Sequence, residues 1–295
     1  MPDFILSCES TIDLDPSTID EYSLHYVPFH FTLGNKEYED DLGKTIPYDE
    51  FYKRMSQGEI THTSQVSVGE YINYFEPFLR EGKDILHLSL STGLSGTFNS
   101  AMTAKNLLQD KYPERRIEVL DSLAASSGYG LLMVTLAEKK KAGAGLDELK
   151  TFVLEHRLEL HHEFFSTDLK YYVRGGRISK TAGFFGTVFR ICPLLDMNDK
   201  GQLTPREKCI TVKMAQKAML KKMASCVQDG PDYAGRVFLC QSSCLSFAKP
   251  VAEAVEAAYP KMVKPARIFP IGTTIGSHTG PGTVALFYWG SKRTA

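Results

Sequence analysis

The chain has 295 residues, 43% of them hydrophobic and 23% charged, with a formal net charge of −1. That length and composition indicate a folded globular protein of one large unit or two domains. The near-zero charge leaves no electrostatic footprint for nucleic acid, and the apolar runs are too short for a transmembrane segment.

The opening MPDFILSCES lacks the basic start and long apolar core of a signal peptide, so a cytoplasmic location is expected. Within it DFILS (Asp3–Ser7) reads as a first strand, and Pro16 opens a short helix. HYVPFHFTL (His25–Leu33) reads as a second strand. Helical periodicity follows at Pro47–Ser56 and Val68–Glu81, the second preceded by the hydroxyl cluster THTSQVS (Thr61–Ser67). The strand Asp84–Leu90 runs into LSTGLSGTFNSA (Leu90–Ala101) and a helix over Thr97–Tyr112. A strand at Arg116–Asp121 and helices at Ser127–Lys141 and Leu146–Arg157 complete an alternation that predicts a parallel sheet.

Near His161 the texture changes. HEFFST reads as a strand, DLKYYVRGGRISK as a loop, and NDKG as the turn of a hairpin. A helix (Val212–Val227), the strand RVFLCQ, a helix (Phe247–Tyr259) and the strand RIFPI form a second α/β set. GTTIGSHTGPG then leads, as a loop, into the strand TVALFYWG. The expectation is an α/β protein of two domains, 1–160 and 161–295, each with a mostly parallel sheet.

Several stretches carry candidate chemistry. Ser95 and Gly96 fall at a helix N-terminus, where unpaired N–H groups favour an anion; Ser95 could equally cap its own helix. The phosphate-loop and nucleophile-elbow patterns both fail there, at Phe98 and Thr97 respectively. Ser64 or Ser67 could cap the Val68 helix. Arg174, Arg177 and Lys180 surround Gly175-Gly176, forming either an anion fork or a partner-docking turn. His278, between Ser277 and Thr279, is a loop histidine able to donate to a carboxylate or phosphate. The aromatics of GFFGTVF (Gly183–Phe189) could line a ligand channel or pack a core. Glu159 and His162 have metal-like spacing but no second motif, and Cys240 and Cys244 lack partner histidines. No metal site is expected. The six cysteines form no CxxC pair and read as reduced thiols.

Five stretches in order, ESTIDL (Glu9–Leu14), TSQVS (Thr63–Ser67), GLSGTFNSA (Gly93–Ala101), RGGRISK (Arg174–Lys180) and SHTGPG (Ser277–Gly282), resemble the DegV family. These are bacterial fatty-acid-binding proteins that include the binding subunits of fatty acid kinase. The resemblance implies two α/β domains with a ligand tunnel between them. It implies a long-chain fatty acid such as palmitate as ligand, no cofactor, and a lipid-binding rather than enzymatic role in lipid transport or fatty acid metabolism. It further implies that Thr63 and Ser95 bond the carboxylate, with Ser64, Gly96, His278 and Thr279 nearby, and that a separate kinase could be a partner. The sequence departs at Glu9 (usually Asp), at Val66 (usually Pro), and at EKCIT (Glu207–Thr211). There Ile210 stands in place of an arginine linked to phosphorylation.

The chemistry suits such a ligand. A buried carboxylate must be bonded, and hydroxyls with helix-terminal N–H groups can hold it without a fixed cation. The tail supplies most of the affinity, at about 0.8 kcal/mol per buried methylene. Two other readings stand beside this one: an acyl-transfer enzyme with Ser95 as nucleophile and His278 as base, and a regulatory protein docking through RGGRISK.

Overall fold

The computed structural model describes residues 3–178 and 191–295; GFFGTVF, Ser179 and Lys180 lie outside the described residues. In chain order the first half carries β1 (Phe4–Glu9), α1 (Pro16–Glu21), β2 (Leu24–Val27), β3 (His30–Leu33), β4 (Lys36–Glu39) and α2 (Tyr48–Ser56). It continues through β5 (Thr61–Ser64), α3 (Val68–Arg80), β6 (Asp84–Ser89), α4 (Thr97–Lys111), β7 (Ile117–Asp121), α5 (Ser126–Lys141) and α6 (Leu146–His156). Then come β8 (Leu160–Ser166), α7 (Lys170–Arg174), β9 (Leu194–Met197), β10 (Leu203–Glu207) and α8 (Val212–Cys226). The chain ends through β11 (Arg236–Gln241), α9 (Leu245–Ala258), β12 (Val263–Pro270), α10 (Thr273–Thr279) and β13 (Thr283–Trp289).

The α/β class is as expected, and the first sheet is wholly parallel, in the order β2-β1-β6-β7. The second sheet corrects the expectation of parallel strands. Its order is β10-β9-β8-β13-β11-β12, and only β11 and β12 pair in parallel. The tight turn Asn198–Gly201 forces β9 and β10 antiparallel, and the last strand, β13, inserts between β8 and β11. Strand–helix alternation along a sequence cannot reveal such an insertion. The expected strand His25–Leu33 is also two strands. Proline lacks the N–H a ladder needs, and at Pro28 the chain leaves the parallel sheet for a small antiparallel sheet, β4-β3-β5.

Helix α5 explains how the large sheets meet. It is buried on all sides from Ser126 to Val134, the pattern of a helix with no solvent face. Its apolar residues share one core with both sheets: Leu6, Leu86 and Leu88 from the first, Phe164, Phe238 and Phe287 from the second. Helices α3 and α4 cover the other face of the parallel sheet, and α8 and α9 the other face of the mixed one.

Candidate functional site

Side chains alternate across a strand, so each strand of the mixed sheet offers every second residue to α5. Thr283, Ala285 and Phe287 of β13, with His162 and Phe164 of β8, form one wall of a cavity of about 470 Å³. Leu90, Leu94, Ser95 and Gly96, at the carboxyl end of β6, form the facing wall. Phe29, Thr63, Ser64 and Gln65 close it from the small sheet, and Thr274, Ile275, His278 and Thr279 from α10. The size falls in the range of about 300–1,000 Å³ typical of small-molecule sites.

Its polar groups are bonded to each other or to the chain around them. Thr63 Oγ1 and His278 Nε2 are 2.7 Å apart. Arg177 donates to the Leu94 carbonyl at 2.9 Å and to the Gly175 carbonyl at 2.6 Å. It thereby ties the arginine turn to the Ser95 loop. Burial, with Arg177 and Arg174 nearby, pushes His278 down to about 3, so its ring is neutral at ordinary pH. Its Nδ1 is buried and has no hydrogen-bond partner among the described residues.

The scaffold beneath is a buried acid. Glu9, at the end of β1, accepts from Tyr71 (2.7 Å), Tyr129 (2.9 Å), Ser89 (2.9 Å) and the Leu90 N–H (2.9 Å). Burial alone would push its pKa up, but bonds from His87, Tyr71 and Leu90 hold it below the usual carboxylate range. Tyr71 also lies 2.9 Å from Thr97 Oγ1, which fixes the first residue of α4 beside Ser95.

The two glycines of GLSGTF have steric roles here. A Cβ on Gly93 would come within 2.5 Å of the Gly201 carbonyl, where the β9–β10 turn docks. On Gly96 it would come within 2.7 Å of Gln65 Oε1. At the opposite end of α10, Asp13 holds the chain in place. It accepts from the Gly272 N–H at 2.9 Å and from Ser126.

The sequence-derived residues sort as follows. Thr63, Ser64, Ser95, Gly96, His278 and Thr279 all line the one cavity. His278 is on the helix α10 rather than a loop, and Thr63 is on strand β5, whose antiparallel pairing with β3 the sequence texture does not show. Ser95 is not the N-cap of α4; Gly96 is, and Ser95 Oγ accepts from the Thr97 N–H at 3.2 Å. Ser67, not Ser64, caps α3, in a capping box with Glu70. The arginine turn begins as helix α7, and its arginines part: Arg174 is exposed and stacks on Tyr171, whereas Arg177 enters the cavity wall. The cavity wall thus holds a guanidinium beside the hydroxyls that the sequence analysis named for the carboxylate. The apolar Tyr171, Tyr172 and Ile178 on either side of the turn were the available signal, since their burial carries the turn against the protein. Gln65, quoted within TSQVS, was given no role by the sequence.

The DegV family model, described as an uncharacterised protein family, matches residues 6–290. The chain belongs to the DegV family. A DegV domain-containing protein of Clostridium perfringens is 34% identical over 99% of this chain and 99% of its own. A fatty-acid-binding DegV family protein of Thermus thermophilus superposes with a TM-score of 0.86 at 26% identity, over 98% of this chain and 100% of that one. A Thermotoga maritima protein, whose structure revealed a fatty acid binding function, gives 0.81 at 26% identity, over 97% and 99%. DegV proteins of this fold thus include binders of fatty acids.

Proposed function

We propose that this DegV protein binds a long-chain fatty acid, its acyl chain in the cavity and its carboxylate held by Thr63 and Ser95 beside Arg177. The observation that carries the reading is one cavity in which an apolar wall (Phe29, Leu90, Phe164, Phe287) meets a cluster of polar groups (Thr63, His278, Arg177). The relatives from Thermus and Thermotoga support it. A neutral His278 whose Nε2–H donates to Thr63 Oγ1 leaves the Thr63 hydroxyl proton to donate to the ligand. The guanidinium offsets part of the cost of burying an anion.

The geometry does not favour acyl transfer. Among the described residues His278 Nε2 bonds Thr63, and Ser95 Oγ bonds the Thr97 N–H. A histidine pushed down to about 3 is also a weak base. Ile210 is 69% exposed just before α8, where the resemblance expects an arginine tied to phosphorylation. The proposed role is therefore holding and transferring the acid rather than presenting it to a kinase.

Delipidated protein should take up palmitate one-to-one. Thr63→Val with Ser95→Ala should weaken uptake at least about tenfold, roughly 1.4 kcal/mol, since each charge-assisted bond contributes about that much or more. Wild-type affinity in the double variant would overturn the head-group assignment.

A further inference from the structure

The same alternation that turns His162 and Phe164 toward the cavity turns His161 and Glu163 to the back of the mixed sheet, under α8. There they meet Cys226, the last residue of α8. One ligand-type atom from each of the three lies within 4.8 Å of the others, and among the described residues no other histidine, cysteine and acid cluster is so placed. We propose that His161, Glu163 and Cys226 form a binding site for a divalent metal ion of zinc type, distinct from the lipid cavity.

Three features of the geometry support this. The first is spacing. His161 Nδ1 is 3.7 Å from Cys226 Sγ and 3.5 Å from Glu163 Oε1. On a tetrahedral zinc, bonds of about 2.3 Å to sulfur and about 2.0–2.1 Å to nitrogen and oxygen separate such ligands by about 3.3–3.6 Å. The second is orientation. His161 Nε2 lies 2.7 Å from the Ser291 carbonyl, which can only accept, so Nε2 carries a proton and Nδ1 is the ring nitrogen that faces the cluster. The ring is further fixed by stacking on Tyr288, at 5.1 Å between centroids. It also packs against Gly290, where a Cβ would come within 2.9 Å of the imidazole. The third is an unmet bond. Glu163 is fully buried, and its Oε2 has no hydrogen-bond partner among the described residues. A carboxylate oxygen in that condition is costly unless a cation or donor reaches it.

Tyr288 completes the surround, its hydroxyl 3.1 Å from Cys226 Sγ and 3.3 Å from Glu163 Oε1. A surface hollow lined by Glu159, Ser225, Gln228 and Ser291 has Cys226 in its wall, so the cysteine is the side of the cluster nearest solvent. The thiol now donates to the Lys222 carbonyl at 3.1 Å. Metal binding would release that proton, and any proton on His161 Nδ1, to solvent as the sulfur–metal and nitrogen–metal bonds form.

The test uses the full chain, reduced and freed of metal, titrated with zinc chloride and separately with cobalt(II) chloride. The expected result is one ion per chain after dialysis and a thiolate-to-cobalt charge-transfer band. Cys226→Ser should abolish the band and weaken zinc retention at least about tenfold, and His161→Gln should do the same. Retention below a tenth of an ion per chain, or unchanged zinc uptake in Cys226→Ser, would overturn the proposal. If either variant fails to fold by circular dichroism, the wild-type chain decides by itself. Zinc should then slow alkylation of Cys226 at least tenfold by peptide mass mapping, and unprotected alkylation would overturn the site.

Discussion

Glu9 and Glu163 are both fully buried, each on an interior strand of one of the two large sheets. Around Glu9, three hydroxyls and a backbone N–H point at the two oxygens, all at 2.7–2.9 Å. Around Glu163, one oxygen shares the Tyr288 hydroxyl at 3.3 Å and the other has no partner among the described residues. The first acid is held ionised below its ordinary range, whereas burial pushes the second up, only partly offset by His161. A saturated acid is a scaffold: its bonds brace β1, β6, α3 and α5 under the Ser95 loop. An acid left half-bonded beside an imidazole and a thiol is arranged to receive something.

The largest test of that contrast is stability. Glu9→Gln puts an amide's donors among groups that already donate, and should cost about 3–5 kcal/mol, as breaking a buried charged network does. Glu163→Gln should cost about 1 kcal/mol or less, because few bonds are lost. Denaturant midpoints measure both. Equal losses would erase the distinction between scaffold and receptor.

A smaller effect separates the two acids by pH. The folded pKa of Glu9 is lowered, so its contribution is complete above the unfolded value of about 4.3 and is lost as pH falls below it. The folded pKa of Glu163 is raised, so the native state keeps a proton the unfolded chain has released, and stability declines as pH climbs above about 4.3. Between pH 3.5 and 6.5 the wild-type-minus-variant difference should therefore slope upward with pH for Glu9→Gln and downward for Glu163→Gln. Parallel slopes would mean the two environments are alike.

Both sites show where sequence reading stops. Local patterns located the helices α3, α4, α5 and α8 to within a residue or two, because period and caps are short-range properties. They located the Ser95 loop as well, though Thr63 proves to lie on strand β5. They could not locate β13 between β8 and β11, since pairing with β8 depends on residues more than a hundred positions apart. The sequence leaves Arg177 open between an anion fork and a docking turn for the same reason: its partner, the Leu94 carbonyl, is 83 residues away. The cluster on the back of the mixed sheet was invisible for a sharper reason. His161 and Glu163 are two apart on a strand, whereas Cys226 arrives on a helix 63 residues later, so no spacing motif contains all three. Sequence spacing finds ligand sets built within one turn or one helix. It does not find those assembled across a sheet.

His278 carries the smallest expected effect and extends the comparison to the cavity between the sheets. Like Glu163 it has an unpartnered buried atom, Nδ1, but it faces two arginines rather than an acid. Burial and those charges hold it near 3, against about 6.5 in the unfolded chain, so protonation opposes folding as pH falls through that window. His278→Gln should flatten the loss of stability between pH 6.5 and 4. Ligand affinity should behave differently. A ring already neutral has no proton to lose between pH 6 and 8, so palmitate binding should change by less than about twofold across that range. A rise in affinity on acidification that followed an ordinary imidazole titration would place a charged histidine on the carboxylate. His278 would then be a binding cation, and Arg177 would no longer be needed as the charge that faces the ligand.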